Sequence, residues 1–194
     1  MDSHYLDSPV STNSLLDFVI SAELERLRTV YLTSDGLSAT APSLPYDDTK
    51  VFTYAQTYCG GGNDCPDGNG GSFELDCTHF ICHCLAATGV RVTDPTAKCS
   101  KGLCIRVNDL AAAISNSVKK YSNVKQLKQH SDTKKGDLCF IPSWFGLRKE
   151  HAMLLADTAT AQGAKVYAHT NNRCGTDVVF EGAECVYYRI ENAK

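Results

Sequence analysis

The chain has 194 residues, a formal net charge of −3 and 43% hydrophobic residues. This length suits one domain with a small extension, and the composition is that of a globular protein rather than a disordered one. The weakly acidic balance gives no sign of a nucleic-acid partner, and no apolar run of about 18 residues could span a membrane. No Sec-type signal peptide is visible, which leaves the localisation open between the cytoplasm and export by a signal-independent route.

The first predicted element is an amphipathic helix that begins with a capping-box pattern at Ser14. Its apolar residues recur at helical spacing: Leu16, Ile20, Leu24, Leu27 and Tyr31. Turn-forming residues dominate residues 34–50, which predicts a linker. The expected domain organisation is an N-terminal helical extension with its linker over residues 1–45 and the main domain over residues 46–194.

A glycine-rich loop follows a short helix predicted from about Thr49 to Tyr58. The loop has no Gly-Lys-Ser or Gly-Lys-Thr ending, so it is not a phosphate-binding loop. Its acidic residues do not have EF-hand spacing, which disfavours calcium. Because glycine lets a backbone approach a ligand closely, we predict that this loop, including Gly61 and Gly62, forms one wall of a substrate groove.

The next helix is predicted to begin at Cys77, since apolar residues then recur at helical spacing up to Leu85 and a capping glycine, Gly89, follows. A cysteine in the first turn of a helix is placed where unpaired backbone N–H groups and the positive end of the helix dipole stabilise a thiolate. Cys77 is therefore the predicted nucleophile. Asp76 is expected to help the helix start rather than take part in the chemistry.

A further amphipathic helix is predicted with Asn108 as its N-cap. After Gly136 the pattern changes to that of strands. The predicted strands are 137–141, 151–156, 165–169, 177–180 and 185–190. A helix bearing the nucleophile followed by an antiparallel meander predicts an α+β fold.

Two histidines are the best candidates for the proton carrier that a thiolate needs. His151 begins one predicted strand and His169 ends the next, so antiparallel pairing would make them neighbours. His151 is the predicted base, with His169 orienting it, although Asn171 and Asn172 are rivals for that third role. His79 is two residues from Cys77 on the helix and so points away from it.

Ten cysteines leave the redox state of the protein open. Three pairs are close enough in sequence to form loop-stapling disulfides: Cys59 with Cys65, Cys99 with Cys104, and Cys174 with Cys185. The cysteines and His83 near Cys77 spread around one helix, which disfavours a structural zinc site. We therefore predict neither a metal nor a cofactor.

Four motifs follow one another along the chain: Asp76-Cys77-Thr78, Gly136-Asp137-Leu138, His151 and His169-Thr170-Asn171. Their order resembles that of the NlpC-type papain-like cysteine peptidases and amidases and is most similar to that of the bacterial putative amidase domain. The resemblance implies a papain-like fold in which the nucleophile lies at a helix N-terminus packed on an antiparallel sheet. It also implies Cys77 as nucleophile, His151 as base and His169 as the third polar residue.

The function expected from the resemblance is cysteine-dependent cleavage of amide bonds through an acyl-enzyme, with peptidoglycan stem peptides as the leading substrate. Two alternatives remain open. One is an effector or toxin that deamidates or transfers acyl groups on host proteins, in which case a host protein or an inhibitor protein would be a partner. The other is a binding module that has lost catalysis.

Overall fold

The structure is a computed structural model that describes residues 31–33, 41–60, 76–94, 102–142, 149–169, 172–180 and 182–194. Within these residues there are three α-helices: α1 (Asp48–Tyr58), α2 (Cys77–Ala86) and α3 (Val107–Lys120). The strands are β1 (Tyr31–Thr33), β2 (Arg91–Thr93), β3 (Val124–Leu127), β4 (Leu138–Pro142), β5 (Lys149–Leu155), β6 (Gly163–Ala168), β7 (Arg173–Val179) and β8 (Val186–Ile190). A short 3-10 helix spans His130–Asp132.

Six strands form one antiparallel sheet in the order β3-β8-β4-β5-β6-β7, and β1 pairs with β2 in a small second sheet. Strands β4 to β7 follow the predicted meander, whereas β8 returns to the other side of β4 and does not continue beside β7. Arg189 on β8 helps to fix this return, since its guanidinium donates two hydrogen bonds of 2.8 and 2.7 Å to the buried carboxylate of Asp137. The predicted α+β class is confirmed.

Helix α2 is the most deeply buried helix of the described part of the chain. Every residue from Cys77 to Leu85 is buried. Together with α1 and α3 it packs against one face of the large sheet, where Phe140, Ala152 and Leu154 belong to the same apolar cluster. A smaller apolar cluster, which includes Met153 and Leu155 of β5, covers part of the opposite face of the sheet.

Several sequence predictions of element boundaries are wrong. Helix α3 begins at Val107 with Arg106 at its N-cap, so Asn108 lies inside the helix and does not cap it. Tyr31 begins strand β1 rather than ending a helical stripe. The remainder of the predicted N-terminal helix lies outside the described residues.

The predicted linker is also partly wrong, since residues 41–47 belong to the body of the domain. Leu44 and Tyr46 are buried. The amide of Asn123 holds this segment by accepting from Leu44 N at 2.9 Å and donating to Leu44 O at 2.9 Å. Its amide also donates to Glu191 O at 2.8 Å, which joins the segment to the end of β8. These long-range hydrogen bonds have no signal in a local turn pattern.

Candidate active site

Cys77 is the first residue of α2, as the sequence predicts. Its side chain is a thiol, and the residue is 4% exposed. Its sulfur lies 4.0 Å from the hydroxyl oxygen of Thr78. A thiol at this position lies beside the first-turn N–H groups of the helix, which can stabilise negative charge on the sulfur or on a nearby oxygen.

His151 and His169 lie at the same end of two neighbouring strands. Leu154 on β5 pairs with Tyr167 on β6, so the start of β5 and the end of β6 lie side by side. His151 is half-buried near the start of β5, where it pairs with Ile141 of β4, and His169 directly follows β6. Asp76, the residue before α2, is hydrogen-bonded to His169, so the N-terminus of α2 lies at this same end of the two strands.

His169 has two short hydrogen bonds that the sequence did not predict. Its Nδ1 lies 2.6 Å from Oδ2 of Asp76, and its Nε2 lies 2.6 Å from the carbonyl oxygen of Tyr58 at the end of α1. The imidazole also stacks on Phe80, with ring centroids 4.2 Å apart. The predicted contact by which His169 would orient His151 stays a prediction, while the contacts with Asp76 and Tyr58 determine how its ring is held.

Asp76 occupies the N-cap position of α2, but its side chain makes no capping hydrogen bond. The expectation that it helps the helix start by capping is therefore wrong. The carboxylate instead bridges two histidines, His169 through Oδ2 and His79 through Oδ1 at 3.0 Å. Burial by itself would raise the pKa of Asp76, but the hydrogen bonds from His169 and His79 outweigh it and lower this pKa below its ordinary value.

A second histidine pair continues from Asp76 along α2. His79 Nε2 lies 3.2 Å from His83 Nε2, and both side chains are buried. The ring of His83 stacks on Tyr54 of α1 in a nearly parallel arrangement. Sequence reasoning missed these partners, although the spacing of Asp76, His79 and His83 at i, i+3 and i+7 places them on one helix face.

The described cysteines form one disulfide, between Cys59 and Cys174. None of the three pairings that the sequence left possible is present: Cys59 is bonded to Cys174 rather than to Cys65, and Cys104 and Cys185 are thiols. Proximity in sequence misled the prediction because the antiparallel pairing of β7 with β6 brings Cys174 beside Tyr167, which faces α1. The disulfide thus connects the end of α1 to the strand after His169.

Three other predicted site residues, Gly61, Gly62 and Asn171, lie outside the described residues, so their proposed contacts stay predictions. Asn172 is described. Its backbone has a φ of 48°, and its N–H donates to the carbonyl of His169 at 2.8 Å. Asn172 therefore shapes the turn that follows His169.

A separate buried cluster consists of Asp94, Cys104 and Asp109, whose possible ligand atoms lie within 4.8 Å of one another. Arg106 already supplies a positive charge there, since its Nη1 lies 3.6 Å from Asp94 and 3.8 Å from Asp109. The Cys104 thiol donates to the Arg106 carbonyl at 3.3 Å. These contacts fit an ion-pair cluster of two buried carboxylates and a half-exposed arginine that connects the end of β2 to the start of α3.

Comparison with known proteins gives one family match. A family model with the description "Putative amidase domain" matches residues 45–188, which is more than half of the chain. No curated protein and no solved structure gives a significant match. Among the described residues, none of the helices has the length and apolar character that a membrane span requires.

Proposed function

The chain belongs to the family described as "Putative amidase domain", and from this premise we propose that it is a cysteine-dependent amidase in which Cys77 is the nucleophile. The family indicates an amidase-type hydrolase. The observation that supports the cysteine mechanism best is the position of the Cys77 thiol at the first residue of a buried helix, with Asp76 and His169 hydrogen-bonded beside it.

In the proposed reaction, His151 accepts the proton of the Cys77 thiol, and the thiolate sulfur forms a bond to the amide carbonyl carbon. First-turn N–H groups of α2 stabilise the resulting oxyanion. Collapse of this intermediate breaks the carbon–nitrogen bond, and His151 gives its proton to the leaving amine. Water, deprotonated by His151, then attacks the thioester, releases the carboxylic acid and restores the thiol.

His151 is the better candidate for the base because both ring nitrogens of His169 already carry a proton and donate it in a hydrogen bond. The Tyr58 carbonyl can only accept a hydrogen bond, so Nε2 of His169 carries a proton. The lowered pKa of Asp76 means that its carboxylate is ionised at neutral pH, so Nδ1 of His169 also donates. An imidazole that carries both protons cannot accept another.

The leading substrate is an amide of a peptidoglycan stem peptide, on the basis of the family resemblance. The test is to incubate purified peptidoglycan fragments with the protein and measure new amine termini. Cys77→Ala and His151→Ala should each abolish release, and the double variant should be no worse than either alone, because a nucleophile and its base act as one unit.

Two matched controls belong to this experiment. Cys84→Ala removes another buried thiol of the same helix, and His130→Ala removes a histidine of the 3-10 helix, and neither should reduce turnover. Additive losses for Cys77→Ala and His151→Ala would contradict their joint action. If the peptidoglycan fragments stay intact and the glutamine side chains of a protein substrate release ammonia, the result would favour deamidation.

A further inference from the structure

The feature that the proposed mechanism does not use is the hydrogen-bonded series of His169, Asp76, His79 and His83, which we call the histidine–aspartate chain. Its links measure 2.6, 3.0 and 3.2 Å in that order. One end of the chain is held by the Tyr58 carbonyl and the other by the stacking of His83 on Tyr54. It therefore connects the start of α2 to α1 and to the end of β6.

We propose that His79 and His83 are positioning residues for Cys77: they hold the Asp76 carboxylate away from the start of α2, so that the first-turn N–H groups serve the nucleophile. This inference rests on the proposed function in taking Cys77 as the reactive thiol. His79 and His83 touch neither the sulfur nor the reacting carbonyl in the proposed mechanism and act through Asp76.

The proton positions along the histidine–aspartate chain follow from the hydrogen-bond partners of its residues. The ionised Asp76 accepts from Nδ1 of His169 and from Nδ1 of His79. In the His79 tautomer that carries its proton only at Nδ1, Nε2 keeps a lone pair, and Nε2 of His83 is then the donor in the last link. His83 thus fixes the His79 tautomer that donates to Asp76.

Burying the polar side chains of His79 and His83 costs free energy unless their nitrogen atoms are hydrogen-bonded. His79 and His83 are 1% and 3% exposed, on a helix whose other residues include the fully buried Phe80, Ile81 and Leu85. Apolar side chains at these two positions would complete the core with no polar groups to satisfy. The polar chain is instead satisfied link by link, as buried polar networks have to be.

The physical effect follows from the position of Asp76. Aspartate is among the strongest N-cap residues, and an N-cap carboxylate accepts from the N–H groups of the first helical turn. Those N–H groups and the positive end of the helix dipole are also what stabilises a thiolate at Cys77. If His79 no longer holds Oδ1 of Asp76, this oxygen can turn toward the first-turn N–H groups and compete with the thiolate, even while Oδ2 stays bonded to His169.

The test is the rate at which iodoacetamide alkylates Cys77 at about pH 6, read by peptide mass spectrometry. His79→Leu should slow this alkylation by about tenfold, because a carboxylate then lies against the helix start. His79→Asn keeps an N–H near the position of Nδ1 and should stay within about twofold of the wild-type rate. His83→Leu should slow the reaction by about threefold, whereas His83→Gln, which keeps a donor near Nε2, should not.

The decisive comparison is His79→Leu with the double variant Asp76→Asn/His79→Leu. An uncharged amide in place of the Asp76 carboxylate cannot bring a negative charge to the helix start, so the double variant should regain most of the alkylation rate. A rate that stays as low as in His79→Leu, in protein that still melts cooperatively, would overturn the proposal. So would a wild-type rate in His79→Leu.

These readouts need no substrate, so they separate this inference from the proposed amidase activity. A protein that cleaves no amide but shows the predicted order of alkylation rates supports the positioning role and counts against the amidase function. A protein that cleaves amides with unchanged kcat in His79→Leu and His83→Leu has the amidase function without the positioning role.

Discussion

Asp76 has one partner that is near in sequence and one that is distant. Its spacing to His79 is a local signal, and a reader of the sequence could have found it. Its bond to His169 spans 93 positions, and only the packing of α2 against the end of β6 creates it. Local pattern therefore predicted a helix cap, whereas the structure has a bridge between two histidines.

The lowered pKa of Asp76 gives a stability prediction. The pKa of Asp76 in the folded protein lies below its ordinary value of 3.8. The ionised Asp76 carboxylate therefore stabilises the fold above about pH 3.8, and this stabilisation is lost as the pH falls through the folded-state pKa. Asp76→Asn should lower the free energy of unfolding at neutral pH and should make its decrease between about pH 5 and pH 2 shallower.

Urea denaturation of wild type and Asp76→Asn across this pH range measures the effect. Asp157→Asn is a suitable control, because Asp157 is exposed and its side chain accepts from the neighbouring Thr158 N–H. Parallel pH curves for wild type and Asp76→Asn would mean that Asp76 is not ionised in the way its two histidine partners indicate.

At the scale of elements, the disulfide between Cys59 and Cys174 joins α1 to β7 across 115 residues of sequence. Cys59 follows Tyr58, whose carbonyl holds His169, and Cys174 lies just beyond the turn after His169. The bridge therefore restrains both sides of that hydrogen bond. The proposed site thus lies beside a disulfide while its own Cys77 is a thiol.

Replacement of both bridge cysteines by serine should reduce the free energy of unfolding by about 2–5 kcal/mol, because the cross-link restricts the unfolded chain over a long loop. Denaturant titration under non-reducing conditions measures this loss. Cys185→Ser, which changes a cysteine outside the bridge, should lose less. An unchanged denaturation midpoint in the double variant would argue that the bridge is not formed in solution.

The sequence predicted the elements that have a strong local period. Helix α2 begins at the predicted Cys77, and the later strands lie near their predicted positions. The short strands β2 and β3 were missed, because three or four residues carry too little periodicity to be recognised. The Asn108 cap was wrong, and the disulfide of Cys59 with Cys174 was not among the pairings considered, because both inferences used near neighbours in sequence while tertiary contacts determine the outcome.

At the scale of the whole molecule, the proposed site lies where the order of the sheet brings separate parts of the chain together. The N-terminus of α2 supplies Cys77 and Asp76, β5 supplies His151, and the end of β6 supplies His169. The α+β class was predictable from the change to strand periodicity after Gly136, and motif order indicated the candidate residues, whose catalytic roles stay predictions. The strand order, with β8 between β3 and β4, was not, because it depends on long-range contacts such as that of Asp137 with Arg189.

Formation of an acyl-enzyme on Cys77 can be measured directly. The protein reacts with an activated acyl ester, the reaction is quenched rapidly with acid, and the intact mass of the protein is determined. The wild type should gain the mass of one acyl group, and peptide mapping should place it on Cys77. Cys77→Ala should gain none, while His151→Ala should acylate slowly. Turnover with no acyl group on Cys77, or acylation that persists in Cys77→Ala, would contradict the account.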